Sequence, residues 1–144
     1  MEFELLTLTG TKYQGDVAEV TLTTADGQIG IFPNHEDLTA QVMAGPVTIR
    51  EKGGKQQVFA TFGGLMEVTK TRMRLLADEA EHESDLDQAQ VQKALAEAEA
   101  QKASVKDKHE LARAQEMVDR QSVRLGVAKL NRRARPERQN TPPE

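Results

Sequence analysis

The chain has 144 residues, a net charge of −4 and no cysteine, which leaves room for one ordinary domain or two small ones and excludes disulfide scaffolds, thiolate metal sites and thiol nucleophiles. No apolar run approaches the ~18 residues that cross a bilayer, and no basic start followed by an apolar stretch and a small-residue cleavage site marks a secretory leader, so a reducing cytoplasmic setting is expected. The charge is too small to demand a polyanionic partner, but residues 1–82 carry seven Lys/Arg against twelve Asp/Glu, and residues 83–144 carry twelve against eleven. The front is acidic and the end is basic.

The front half alternates apolar and polar residues in short segments, as in Ala18-Glu19-Val20-Thr21-Leu22-Thr23 and Val47-Thr48-Ile49-Arg50, the period-two mark of half-buried strands. Nine of the ten glycines fall within residues 10–64 and all five aromatics within residues 3–62, so this part is built differently from the rest. Asp26-Gly27 suits a tight turn, and Gly53-Gly54 sits between two strand-like runs as a hairpin would. About nine strand candidates precede residue 77, a density that predicts an antiparallel sandwich or flattened barrel.

The acidic run Asp78, Glu79, Glu81 and Glu83, with His82, reads as a solvated linker. From Leu86 to Leu125 neither glycine nor proline occurs, and Ala, Gln, Glu and Lys dominate, which predicts helix. Ser84 or Asp85 is expected at the N-cap, where a short side-chain oxygen accepts an orphaned backbone N–H. Ser104-Val105-Lys106-Asp107 breaks the alanine rhythm and predicts a reversal. Val91, Ala94, Leu95 and Ala98 then face Leu111, Ala114, Val118, Gln121, Leu125 and Ala128 across an antiparallel hairpin. Burying a leucine or valine yields roughly 1.5–3 kcal/mol and one methyl about 0.8, so this alanine-rich seam holds by only a few and the hairpin is free to re-dock. A plain stable helix pair is the simpler alternative. Residues 136–144, with Pro136, Pro142 and Pro143, are expected to form a disordered tail.

No Gly-rich phosphate loop followed by Lys and Ser/Thr is present, so the chain lacks the usual cradle for a hydrolysed triphosphate. His35, His82 and His109 are scattered without the spacing of a metal site, and no metal or cofactor is expected. The basic end, Arg113, Arg120, Arg124, Lys129, Arg132, Arg133, Arg135 and Arg138, fits an acidic protein segment or a phosphate. It also fits nucleic acid, although no aromatic lies beyond Phe62 to stack on bases. A solvated charged terminus is the third reading.

Three motifs in order carry a resemblance. Asp26-Gly27-Gln28-Ile29-Gly30-Ile31-Phe32-Pro33-Asn34-His35 resembles a turn of the epsilon subunit of the rotary F-type ATP synthase. Phe62-Gly63-Gly64-Leu65-Met66-Glu67-Val68 resembles that family's Gly-Gly strand pair, and Leu76-Ala77-Asp78-Glu79-Ala80-Glu81 the end of its sandwich. Asp85-Leu86-Asp87 then opens a hairpin where the family opens its own. The resemblance spans residues 2 to about 130.

It implies an α+β fold: an N-terminal antiparallel β-sandwich of about ten strands (residues 1–82) followed by a C-terminal antiparallel two-helix hairpin (residues 83–135). It further implies a non-catalytic central-stalk rotor subunit of a proton-translocating ATP synthase, peripheral on the cytoplasmic face of the bacterial cell membrane. The implied partners are the gamma subunit, the c-subunit ring and the beta subunits, with no nucleic acid. The c-ring and gamma contact falls by position on Asp26, Gly27, Gln28, Ile29, Gly30, Ile31, Pro33 and His35. Asn34 stands where the family commonly has Gly, and Glu36-Asp37 where it has Ala-Pro. Arg113, Arg120 and Arg124 match basic positions that meet an acidic segment of beta and hinder hydrolysis. Some members bind ATP through an Ile/Leu-Asp-x-x-Arg-Ala motif. Here Leu86 and Asp87 match, while Gln90 and Val91 replace Arg and Ala and Glu97 replaces a further arginine, so ATP binding is expected to be weak or absent.

Overall fold

The computed structural model of the chain describes residues 1–134, the last four by their backbone alone. The tail expected from residue 136, with Arg135 and Arg138 of the basic end, lies outside the described residues. Nine strands fill the first part: β1 (Glu2–Thr7), β2 (Gly10–Thr24), β3 (Gly27–Ile31), β4 (Leu38–Val42), β5 (Gly45–Glu51), β6 (Gln56–Thr61), β7 (Gly64–Val68), β8 (Arg72–Ala77) and β9 (Ala80–His82). The alternation in sequence becomes alternation in burial: Val47 and Ile49 of β5 are inside, while Thr48 and Arg50 between and beyond them are not.

One layer runs β1-β8-β7-β4 and the other β3-β2-β5-β6-β9. The long β2 belongs to both, since its first half pairs with β1 and its second half with β3 and β5. Every ladder is antiparallel except that of β1 with β8, which is parallel. Phe3, Leu5, Val20, Leu22, Ile49, Phe59, Met66 and Leu75 are among the side chains that fill the space between the layers.

Glycine punctuates where backbone crowding requires it. Gly64 has φ +154°, and a Cβ there would stand 2.2 Å from the Leu76 carbonyl oxygen on the neighbouring β8, so only a hydrogen fits. Gly53-Gly54 does link β5 to β6, closed by Glu51 N–H to the Lys55 carbonyl at 2.8 Å and Gly54 N–H to the Glu51 carbonyl at 2.9 Å.

After β9 a 3-10 turn, Glu83–Asp85, leads into α1 (Gln88–Ser104) and α2 (Lys108–Ala134). The N-cap of α1 is Asp87, whose Oδ1 accepts from the Ala89 N–H at 3.0 Å, not the expected Ser84 or Asp85. Those two are consumed by the 3-10 turn, where His82 Nδ1 accepts from the Ser84 N–H at 3.1 Å. The reversal lies between Ser104 and Lys108, and Asp107 Oδ1 accepts from the His109 N–H at 3.3 Å to open α2.

The hairpin has its own small interior. Val58, Ala60, Leu86, Val91, Val127 and Ala128 form a cluster separate from the sandwich core, flanked by Phe62, Val123 and Leu125. Helix α2 packs on the outer faces of β5 and β6. Of the stripe expected on α2, Gln121 and Ala128 are buried and Ala114, Val118 and Leu125 half-buried, but Leu111, near the reversal, is exposed.

Candidate functional site

The loop singled out in the sequence is built on β3, an edge strand paired only through β2. Its entry is a turn in which Thr24 Oγ1 accepts from the Asp26 N–H at 3.3 Å and donates to the Gly27 carbonyl at 3.2 Å. Gly27 takes φ +116°. Within the segment the alternation separates two duties. Ile31 belongs to the sandwich core and Ile29 packs against it, whereas Asp26, Gln28, Gly30 and Pro33 are exposed. Ile29 and Ile31 therefore fasten the loop, and the surface presented outward is that of the other residues.

Phe32, absent from the expected contact set, is 49 % exposed and rests its ring edge beside Gly30. Asn34 adopts φ +66°, the only positive φ of a non-glycine residue among those described. Asparagine tolerates this left-handed region better than most side chains, so the chain makes this turn without a glycine. The Asn34 N–H donates to the Lys70 carbonyl at 3.0 Å, and His35 Nδ1–H donates to the Glu36 carbonyl at 2.7 Å.

Pro33 and Asn34 rim a groove of about 490 Å³ that also touches Met1, Glu2, Asp16, Lys70 and Thr71. Asp16 there accepts from Lys52 Nζ at 2.6 Å and from the Met1 ammonium at 2.8 Å. The Lys52 hydrogen bond first, and the ammonium second, hold its carboxyl down to about 2.

A second feature lies on the outer face of the β1-β8-β7-β4 layer. Leu6 pairs in register with Leu76, and Leu76 with Leu65, so three leucines stand in a row across three strands. Leu65 is 48 % and Leu76 49 % exposed. Beside them Glu4 bridges Arg72 at 2.7 Å and Arg74 at 3.3 Å. The alternation of β7 and β8 carried this signal, because Leu65 and Leu76 fall in the polar phase.

The expected arginines split. Arg113 is exposed and forms no ion pair among the described residues. Arg120 and Arg124 instead face the sandwich. Arg120 pairs with Glu79 and lies 4.3 Å over the Phe62 ring, and Arg124 Nε donates to Glu81 Oε2 at 2.7 Å while its Nη1 donates to Gln121 Oε1 at 2.8 Å. The Arg120 hydrogen bond holds the Glu79 carboxyl below its ordinary value. The acidic run is thus no solvated linker: Glu81 lies on β9, Glu79 just before it, and both are used.

Leu86 and Asp87 have structural employment, Leu86 in the hairpin cluster and Asp87 as the cap of α1. Val91 is only 2 % exposed, packed against the same cluster. No helix among the described residues is long and apolar enough to cross a membrane.

Known proteins share this layout. The family described as "ATP synthase, Delta/Epsilon chain, beta-sandwich domain" matches residues 1–83. The chain is 34 % identical over 132 residues to the ATP synthase epsilon chain of Chloroflexus aggregans, covering 92 % of this chain and 94 % of the relative. It is 33 % identical to that of Herpetosiphon aurantiacus, covering 92 % and 96 %. Among solved structures it resembles a chain of the Euglena gracilis mitochondrial ATP synthase complex of OSCP, F1 and c-ring, with TM-score 0.72, 23 % identity and coverage of 92 % of this chain and 79 % of that one. A Tetrahymena thermophila mitochondrial ATP synthase central stalk and c-ring structure contains another such chain, with TM-score 0.57, 16 % identity and coverage of 91 % and 95 %. At these identities the solved structures speak to the fold.

Proposed function

The chain belongs to the epsilon-chain family of ATP synthase, whose members are subunits of the complex and not its catalytic centres, and from that premise we propose that it is a rotor subunit with a movable brake. The sandwich is the coupling body: it joins the gamma subunit to the c-subunit ring, peripherally, on the cytoplasmic face of a bacterial membrane. Its closed, close-packed interior suits torque transmission because such interiors yield little to load. The exposed residues of the loop, Asp26, Gly27, Gln28, Gly30, Phe32 and Pro33, with the half-buried His35, form the c-ring and gamma contact, and the leucine row Leu6-Leu76-Leu65 extends the apolar contact area.

The hairpin is the brake. When it lifts from the sandwich, Arg113, Arg120 and Arg124 meet an acidic segment of beta and hinder hydrolysis. One observation carries this reading: the hairpin rests on a cluster of its own and shares none of the residues that close the sandwich core. A part fastened in this way can leave without unfolding the part it leaves. Purifying the tagged chain from its native host is the test. Recovery of gamma, beta and c-subunits is expected, and recovery of nucleic acid in their place contradicts the reading.

A further inference from the structure

Two carboxylates of the sandwich and two arginines of α2 meet with matched spacing. Glu79 and Glu81 are two apart at the start of β9, and in an extended chain two residues cover roughly 6.6 Å. Arg120 and Arg124 are four apart on α2, which is roughly 6 Å along a helix and one face of it. Each arginine therefore finds its own carboxylate. Both arginines are braced as well, Arg120 by the ring of Phe62 and Arg124 by the buried Gln121. Beneath them the apolar anchor is small: alanines at positions 60 and 128, valines at 58, 91 and 127, and Leu86.

We infer that Glu79 and Glu81 form with Arg120 and Arg124 a two-point charge latch that sets how often the hairpin lifts. The two carboxylates are a built-in substitute for an acidic peptide, so any acidic partner segment that takes these arginines first displaces this chain's own. That competition rests on the brake reading above; the latch itself does not. Partly exposed ion pairs weaken with salt, which gives the latch a signature that an apolar seam lacks.

The absence of cysteine makes the test direct. Ala60, on β6 beneath the hairpin, and Ala128, on α2, are both buried in the hairpin cluster. A60C and A128C, in two separate full-length chains, each supply one thiol whose labelling rate reports opening, and the second guards against a poor fit of the first. Introducing E79Q/E81Q is expected to speed labelling of both about tenfold at low salt, the factor that ~1.4 kcal/mol represents. Raising ionic strength is expected to speed labelling in the chain with native carboxylates and to leave the E79Q/E81Q chain nearly unchanged. Equal rates at low salt, or the same salt response in both backgrounds, overturn the latch. Hydrolysis by the reconstituted complex is read separately: faster labelling with unaltered hydrolysis upholds the latch and removes the brake.

Discussion

Val58 and Phe59 are consecutive on β6 yet belong to different interiors, Phe59 to the sandwich core and Val58 to the cluster under the hairpin. Strand β6 is thus covered on both sides: one face closes the sandwich core and the other carries the cluster under the hairpin.

Substitutions on the two sides should separate the two parts. Phe59→Ala is expected to cost about 3–5 kcal/mol of sandwich stability, read as a lower urea midpoint for loss of strand structure. Val127→Ala is expected to leave that midpoint in place and to speed hydrogen exchange in α1. Coupled loss of strands and helices in both variants would falsify the separation.

Backbone conformation makes opposite demands at Asn34 and Gly64. Asn34→Gly is expected to be within about 0.5 kcal/mol of neutral, since glycine enters the left-handed region freely, and Asn34→Val to cost about 1–2 kcal/mol. Gly64→Ala must push a Cβ against the Leu76 carbonyl and is expected to cost about 3 kcal/mol or more. Thermal unfolding of the three variants checks the order.

Acid and alkali should act through different residues. The folded value of Asp16, about 2, lies below its ordinary 3.8, so the folded state binds this proton less tightly than the unfolded chain. Its contribution is present above about pH 4 and is lost as pH falls towards 2. Asp16→Asn should flatten the acid limb of a stability–pH curve. Tyr13 is the reverse: burial first, then its hydrogen bond to Glu51, push it up to about 12 from 10.0. That contribution is intact below pH 10 and lost between 10 and 12. Tyr13→Phe should remove this alkaline slope, and an ordinary value in the ultraviolet titration of this single tyrosine contradicts it.

The ATP motif should be inactive. Asp87 is spent on the cap of α1 and Val91 fills the hairpin cluster, while Gln90 offers no charge to a phosphate. Calorimetry of the isolated chain with Mg-ATP is expected to show no binding, and micromolar affinity contradicts this. Asp87→Ala is expected to cost about 1 kcal/mol of helix stability through the lost cap.

Much of the fold could be read in advance because alternation and glycine placement are local signals. The strands, the hairpin at Gly53-Gly54 and the reversal before Lys108 follow from neighbouring residues alone. What depended on distant residues was harder. The cap of α1 moved to Asp87 because the 3-10 turn claimed Ser84 and Asp85. Glu79 and Glu81 looked solvated because their partners lie 41 and 43 residues later, although carboxylates two apart and arginines four apart were there to be matched. Val58-Phe59-Ala60 broke the alternation, and such an unbroken apolar run is what a strand covered on both faces requires. The loop Asp26–His35 could be placed as a turn, but its division into fastening isoleucines and exposed neighbours needed the strand register.

The most direct test removes residues 86–144 and assembles the truncated chain into the complex. If the sandwich couples and the hairpin restrains, assembly and proton-driven synthesis persist and ATP hydrolysis rises. Hydrolysis at the full-length level, or a complex that no longer assembles, contradicts the division of labour between the two parts.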